Sequence, residues 1–225
     1  NILRLAIQKK GRLAEKSIEL LKAAGIRIDN YSQQLLIKAQ NFNLELLFIR
    51  DDDIPEYVQD GVADIGIVGE NVILESEKKL DTVEKLGFGK CRMSLAIPKA
   101  NNFNSIKDLD GKNIATTYPK ILKKYLDENN VKANIHYISG SVEITPNIDL
   151  ANAIFDIVST GSTLLSNGLK EVKTVLRSEA VLVANKNLSD EKKSLLEQIL
   201  FRVRAVNKAK NNKYILLNAH KNKFS

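Results

Sequence analysis

Residues 156–163 read D-I-V-S-T-G-S-T. An apolar strand runs into small hydroxyl residues set around one glycine, and helix formers follow. Such a bend offers several free backbone N–H groups at the start of a helix, whose dipole adds partial positive charge. Ser159, Thr160, Ser162 and Thr163 add hydroxyl donors, and Gly161 lets the backbone come close to a ligand. A phosphate monoester is the guest this chemistry suits. Asp156, three residues before the bend, is placed to accept from a sugar hydroxyl beside the phosphate. An ordinary helix start with Thr160 as N-cap explains the same spacing. The bend matches neither G-x-x-x-x-G-K-S/T nor G-x-G-x-x-G.

Other stretches add candidates. S-G-S-V-E (139–143) again joins a strand to a helix; it supplies Glu143, or simply a Ser139 or Ser141 cap. Two such loops at strand C-termini would face one crevice. Q-K-K-G-R-L (8–13) carries Lys9, Lys10 and Arg12, suited to phosphates or to a solvated turn. I-R-D-D-D-I-P (49–55) sets Arg50 at a strand end before three aspartates, of which Asp53 is the expected helix cap rather than part of a magnesium site. A-D-I-G-I-V-G-E-N (63–71) sets Asp64 in an apolar strand, where burial demands a partner, and ends near Glu70. No nucleophile has a base beside it, because His136 and His220 fall in no plausible loop.

The elements that must position these residues alternate. Strands are expected over 2–7, 34–39, 44–49, 63–68, 92–97, 113–117, 133–138, 155–159, 172–176, 180–184 and 214–219. Helices are expected over 13–24, 54–60, 70–77, 119–129, 161–167 and 188–210. This alternation implies α/β architecture with a largely parallel sheet. A polar break, K-A-N-N-F-N-S at 99–105, separates two series. A return of the chain after about residue 180 makes the lobes discontinuous: lobe I over 1–92 and 181–225, lobe II over 93–180, with the site in the cleft between them.

Composition sets the outer bounds. The 225 residues are 44% apolar and 27% charged, with a net charge of +7. That charge favours an anionic partner. Small phosphates fit better than nucleic acid, because there is no tryptophan and the aromatics do not interleave with basic runs. No apolar run is long enough for a bilayer, so no membrane partner is expected. The N-terminus has the reverse order of a secretory signal, and Cys91 stands alone as the only cysteine. Both features predict a cytoplasmic protein.

Taken together, G-S-V-E, D-I-V-S-T-G-S-T-L, Q-K-x-G-R-L, R-D-D-D-I-P, A-D-I-G-I-V-G-E-N and C-R-M-S-L-A closely resemble the ATP phosphoribosyltransferase family, in the family's order and over essentially the whole chain. The resemblance implies two lobes of the periplasmic-binding-protein kind (type II), with crossover strands near 92–97 and 180–184. It implies condensation of ATP with phosphoribosyl pyrophosphate, with Mg²⁺ as cofactor. Ser159, Thr160, Gly161, Ser162 and Thr163 would hold the ribose 5-phosphate, with Glu143 and Asp156 near the ribose. Lys9 and Arg50 would serve catalysis at the leaving group. Arg12, Asp64, Glu70 and Tyr118 would meet ATP. The magnesium ligands stay unassigned. R-D-D-D-I-P and K-Y-I-L-L-N-A-H-K resemble the family's long form, so a catalytic core without its regulatory domain is expected. Such a core would be a homodimer insensitive to histidine, against a hexamer for the full-length long form.

The rival from another class is a two-lobe module that binds small anions without chemistry. Its usual export signal is missing. A regulator's effector domain is a further option, but no helix-turn-helix segment is visible.

Overall fold

A computed structural model describes residues 1–29 and 34–212. The expected strand at 214–219 and His220 lie outside the described residues. The first sheet has six strands. In chain order they are β1 (Leu3–Gln8), β2 (Leu36–Lys38), β3 (Leu44–Ile49), β4 (Ile65–Gly69), β5 (Asp81–Lys85) and, much later, β11 (Ala180–Ala184). Their spatial order is β2-β3-β1-β4-β11-β5. The second sheet holds β6 (Cys91–Pro98), β7 (Asn113–Thr116), β8 (Asn134–Tyr137), β9 (Ala153–Val158) and β10 (Leu169–Ser178), in the order β10-β6-β9-β7-β8.

Period-2 alternation builds a layered first sheet. Leu3, Leu5 and Ile7 of β1, with Leu44, Leu46 and Phe48 of β3, face α1 (Arg12–Ala23) and the long α6 (Asp190–Asn211). Ala6, Leu47, Ile49, Val181 and Val183 face the other way, onto α2 (Ile54–Gln59) and α3 (Glu70–Ser76). Gly66 is needed here: a Cβ on it would sit 2.7 Å from the Ile54 side chain and 3.0 Å from that of Val58. The second sheet has its own core. Met93, Leu95, Ile97, Ile114 and Phe155 pack with Ile121, Leu122 and Leu126 of α4 (Pro119–Glu128).

Neither sheet is largely parallel, contrary to expectation. Parallel pairing joins β3-β1-β4 in one sheet and β9-β7-β8 in the other. The β2–β3 pair and all pairs of β6, β10 and β11 are antiparallel. Antiparallel pairing follows because the chain enters the second sheet on β6 and leaves it on β10 directly into β11. β5 was missed because D-T-V-E-K offers almost no apolar alternation; only Val83 packs on the core.

The chain crosses between sheets at residues 86–90 and again at Glu179. The two crossings are tied together. The Leu86 N–H donates to the Ala180 carbonyl, the Ala180 N–H to the Phe88 carbonyl, and the Gly87 N–H to the Glu179 carboxylate, each at 2.9 Å. The parallel strands β1, β3 and β4 end on one edge, and β7 and β9 end on another. Both edges open onto one cavity.

Candidate functional site

The bend after β9 has the expected place, and the expected helix follows it, shorter by one residue at each end. Only five residues, Ser162–Ser166 (α5), are helical, and the N-cap is Gly161 at φ 83°, with no side-chain cap. So short a helix carries little dipole, and an anion here must rely on local N–H and hydroxyl donors. Thr160 is therefore not the cap. Its hydroxyl lies 3.0 Å from that of Ser162 and accepts from the Ser162 N–H at 3.4 Å. Ser159, Thr160, Ser162 and Thr163 are exposed and Gly161 is half-buried, so the bend is open to a ligand.

A cavity of ≈ 530 Å³ lies between the two strand edges. The first sheet's side supplies Gln8, Arg12, Lys16, Asp51 and Asn71; the second supplies Tyr118, Ile157 and Ser159. Tyr118 follows β7 and feels carboxylates from both sides. Burial first, then Asp156, Asp51 and Asp52, push its phenol far above the ordinary range. It therefore stays protonated, a donor. Burial and the nearby Glu143 carboxylate also push Asp156 up, against a stabilising bond at 2.8 Å from the Ile157 N–H. Glu143 is half-buried in the 3-10 turn Val142–Ile148, whose lead residue Ser141 makes no side-chain cap. The structure thus brings Glu143 and Asp156 together, 13 positions apart in sequence.

A smaller cavity of ≈ 320 Å³ shares Gln8 and Asp51 with the first and adds Lys9, Lys10, Ile49 and Arg50. The β1 and β3 ends are held level by the Lys9 N–H, which donates to the Ile49 carbonyl at 2.8 Å. Lys9, Lys10, Arg12 and Arg50 are all exposed here, a basic rim beside the cleft. Asp53 takes the expected N-cap position of α2, but its side chain makes no cap bond. Residues Asp51–Asp53 form a 3-10 turn running into α2, and Asp53 is itself helical. Burial first, then Asp51, push the Asp52 carboxyl up.

Two expected ATP residues stand apart. Asp64 is buried just before β4, at the strand's starting end. Five residues of strand, roughly 16 Å, separate it from the cavity-lining Gly69. Its carboxylate takes two bonds from Lys192 Nζ, at 2.8 and 2.9 Å, and one from the Arg4 N–H at 2.8 Å. Burial brought a structural partner, and the structure does not bring Asp64 to the cleft. Glu70 begins α3, and its N–H donates to the Glu179 carbonyl at 3.0 Å. Its neighbours Gly69 and Asn71 line the cavity, and Glu70 does not.

Comparison with known proteins decides among the readings of this cleft. The family model described as HisG, ATP phosphoribosyltransferase, matches residues 50–205. A curated ATP phosphoribosyltransferase from Cytophaga hutchinsonii is 60% identical over 217 residues, 96% of this chain and 76% of that relative. The chain belongs to the ATP phosphoribosyltransferase family. Its reaction is that of a pentosyltransferase: ATP and phosphoribosyl pyrophosphate give N1-(5-phosphoribosyl)-ATP and pyrophosphate, the opening step of histidine biosynthesis. Among solved structures, the ATP phosphoribosyl transferase (HisG:HisZ) complex from Thermotoga maritima is 30% identical with a TM-score of 0.79, covering 92% of this chain and 100% of that one. The substrate binding protein of an amino acid ABC transporter, 13% identical with a TM-score of 0.60 over 93% of this chain and 95% of that one, shares the fold. The architecture is thus the two-lobe, type II arrangement.

Within this phosphoribosyltransferase, sequence reasoning missed one group at the bend. Arg92, on β6, reaches back to donate to the Ser159 carbonyl at 3.3 Å. Glu171 of β10 orients it through two bonds, at 2.6 and 2.7 Å, and itself accepts from the Ser94 hydroxyl at 2.6 Å. The C-R-M-S spacing was the only signal: in a strand, Arg92 and Ser94 share one face.

Proposed function

We propose that the two cleft edges divide the substrates of this reaction between them. The bend at 159–163 holds the ribose 5-phosphate, while Asp156 and Glu143 accept from the ribose hydroxyls. The basic rim of Lys9, Arg12 and Arg50 faces the diphosphate and the ATP phosphates, and Tyr118 packs near the nucleotide. Adenine N1 attacks the anomeric carbon as the bond to pyrophosphate breaks, so no protein nucleophile is needed. Lys9 and Arg50 stabilise the charge that gathers on the leaving group, and the cleft supplies proximity. The observation that carries this reading is one cavity lined from one edge by Arg12 and from the other by Ser159. We place lobe I at 1–92 and 181–225, of which 30–33 and 213–225 lie outside the described residues, and lobe II at 93–180.

The reaction takes a divalent metal ion, and we assign magnesium. Among the described residues no group of three or more His, Cys, Asp or Glu could cage an ion. That suits an ion arriving on substrate phosphates and touching one or two carboxylates. Asp51, common to both cavities, is the carboxylate we assign to it. When bound, the ion neutralises the pyrophosphate. Among the described residues no helix is long and apolar enough to cross a membrane. We propose a cytoplasmic homodimer. Exposed Ile144, Ile148, Leu150 and Leu165 of the second lobe favour association.

The test is isothermal titration of wild type and Gly161→Val with each substrate. Loss of phosphoribosyl pyrophosphate binding with ATP binding retained supports the division; equal losses refute it.

A further inference from the structure

Helix α4 begins without a cap of its own. Its N-cap residue is Tyr118, whose side chain makes no cap bond and lines the cavity instead. Pro119 has no N–H, and the first intrahelical bond comes from Leu122, which donates to the Tyr118 carbonyl at 3.2 Å. Two N–H groups are therefore left, those of Lys120 and Ile121. Both are taken by one carboxylate from the opposite lobe: Glu75 of α3 accepts from Lys120 at 3.0 Å and from Ile121 at 2.9 Å. A helix N-terminus is normally closed by the residue before it, through a short polar side chain. Here that place is given to a ring in the site, and the cap comes from 45 residues upstream.

We propose that Glu75 is a positioning residue for the transfer reaction, a latch across the cleft mouth that sets the lobe separation and holds Tyr118. A carboxylate also suits the positive end of α4. Because bonds of this length tolerate only small displacements, opening the lobes must break both and leave two N–H groups uncapped. Closing restores them, so the cap of α4 and the width of the cleft change together. The neighbouring Lys120–Glu77 pair, 3.1 Å apart and exposed on both sides, contributes little to this latch.

This inference rests on the cleft being the substrate site. The experiment compares wild type with Glu75→Ala, Glu75→Gln and Lys120→Ala. Spin labels on the two lobes give their separation in the substrate-free protein, and steady-state kinetics gives kcat and KM. Glu75→Ala is expected to widen the lobe separation and raise KM for ATP about tenfold. Glu75→Gln, which keeps an acceptor oxygen but not the charge, falls between. Lys120→Ala behaves as wild type. An unchanged separation in Glu75→Ala overturns the latch. A wider cleft with KM unchanged overturns the positioning role, and so does a uniform loss of kcat with a lowered Tm. The separation needs no substrate, so it stands apart from the cleft assignment, which Gly161→Val tests on its own.

Discussion

Glu171 grips Arg92 through both carboxylate oxygens, and Arg92 transmits that grip to the Ser159 carbonyl at the edge of the phosphate bend. The bend is thus braced from beneath by strands β6 and β10, not by its own short helix. The hydrogen bonds from Arg92 hold the Glu171 carboxyl down at about 2, from an ordinary 4.5. A carboxyl held down in the folded state contributes stability that is fully present above pH 4.5 and is lost as the pH falls toward 2. Denaturant titrations should show wild type more stable than Glu171→Gln at pH 7, with the gap closing on acidification below pH 4.5. A gap independent of pH would contradict the pairing.

Gly161 at φ 83° occupies backbone space that β-branched residues avoid. Gly161→Val should weaken phosphoribosyl pyrophosphate binding by at least an order of magnitude, and Thr160→Val should weaken it less. ATP binding should change little in either. Calorimetric titration reads both ligands on the same sample.

Arg50 is exposed beside Lys9 at the smaller cavity and makes no ion pair among the described residues. Arg50→Ala should lower kcat with little change in Tm. Removing one donor to developing charge costs on the order of 3 kcal/mol, roughly a hundredfold in rate. An unchanged rate removes Arg50 from the mechanism.

Asp156 carries a carboxyl pushed above its ordinary 3.8 by burial. The ionised form accepts from the ribose hydroxyl in our account. Therefore kcat/KM for phosphoribosyl pyrophosphate should fall on acidification at a higher pH than for an unperturbed carboxylate. Asp156→Asn should remove that acid limb along with most of the activity. The sign for stability is the reverse of Glu171. Folding disfavours the charge on Asp156, so Asp156→Asn should be more stable than wild type at pH 7, and the difference should vanish toward pH 3.8.

What could be read from the chain was local. Apolar runs such as A-I-F-D-I-V placed β9, and a glycine between hydroxyl residues placed the bend that follows it. The helix expected over 188–210 is α6, whose N-cap Ser189 accepts from the Lys192 N–H. What escaped was made by contacts far apart in sequence. The resemblance set Asp64 beside ATP while its apolar strand demanded a partner; that partner, Lys192, comes from the last helix, 128 positions on. Arg92 and Glu171 meet across two antiparallel strands whose pairing no local pattern announces. Glu75 looks like one more acid on a short helix until the second lobe is set against it.

The most direct test of the account is a crystal soaked with phosphoribosyl pyrophosphate and Mg²⁺. The account predicts density for the 5-phosphate on the N–H and hydroxyl groups of residues 159–163, with the ribose at Asp156 and Glu143. A phosphoribosyl pyrophosphate bound elsewhere in the cleft, with that bend empty, would contradict it.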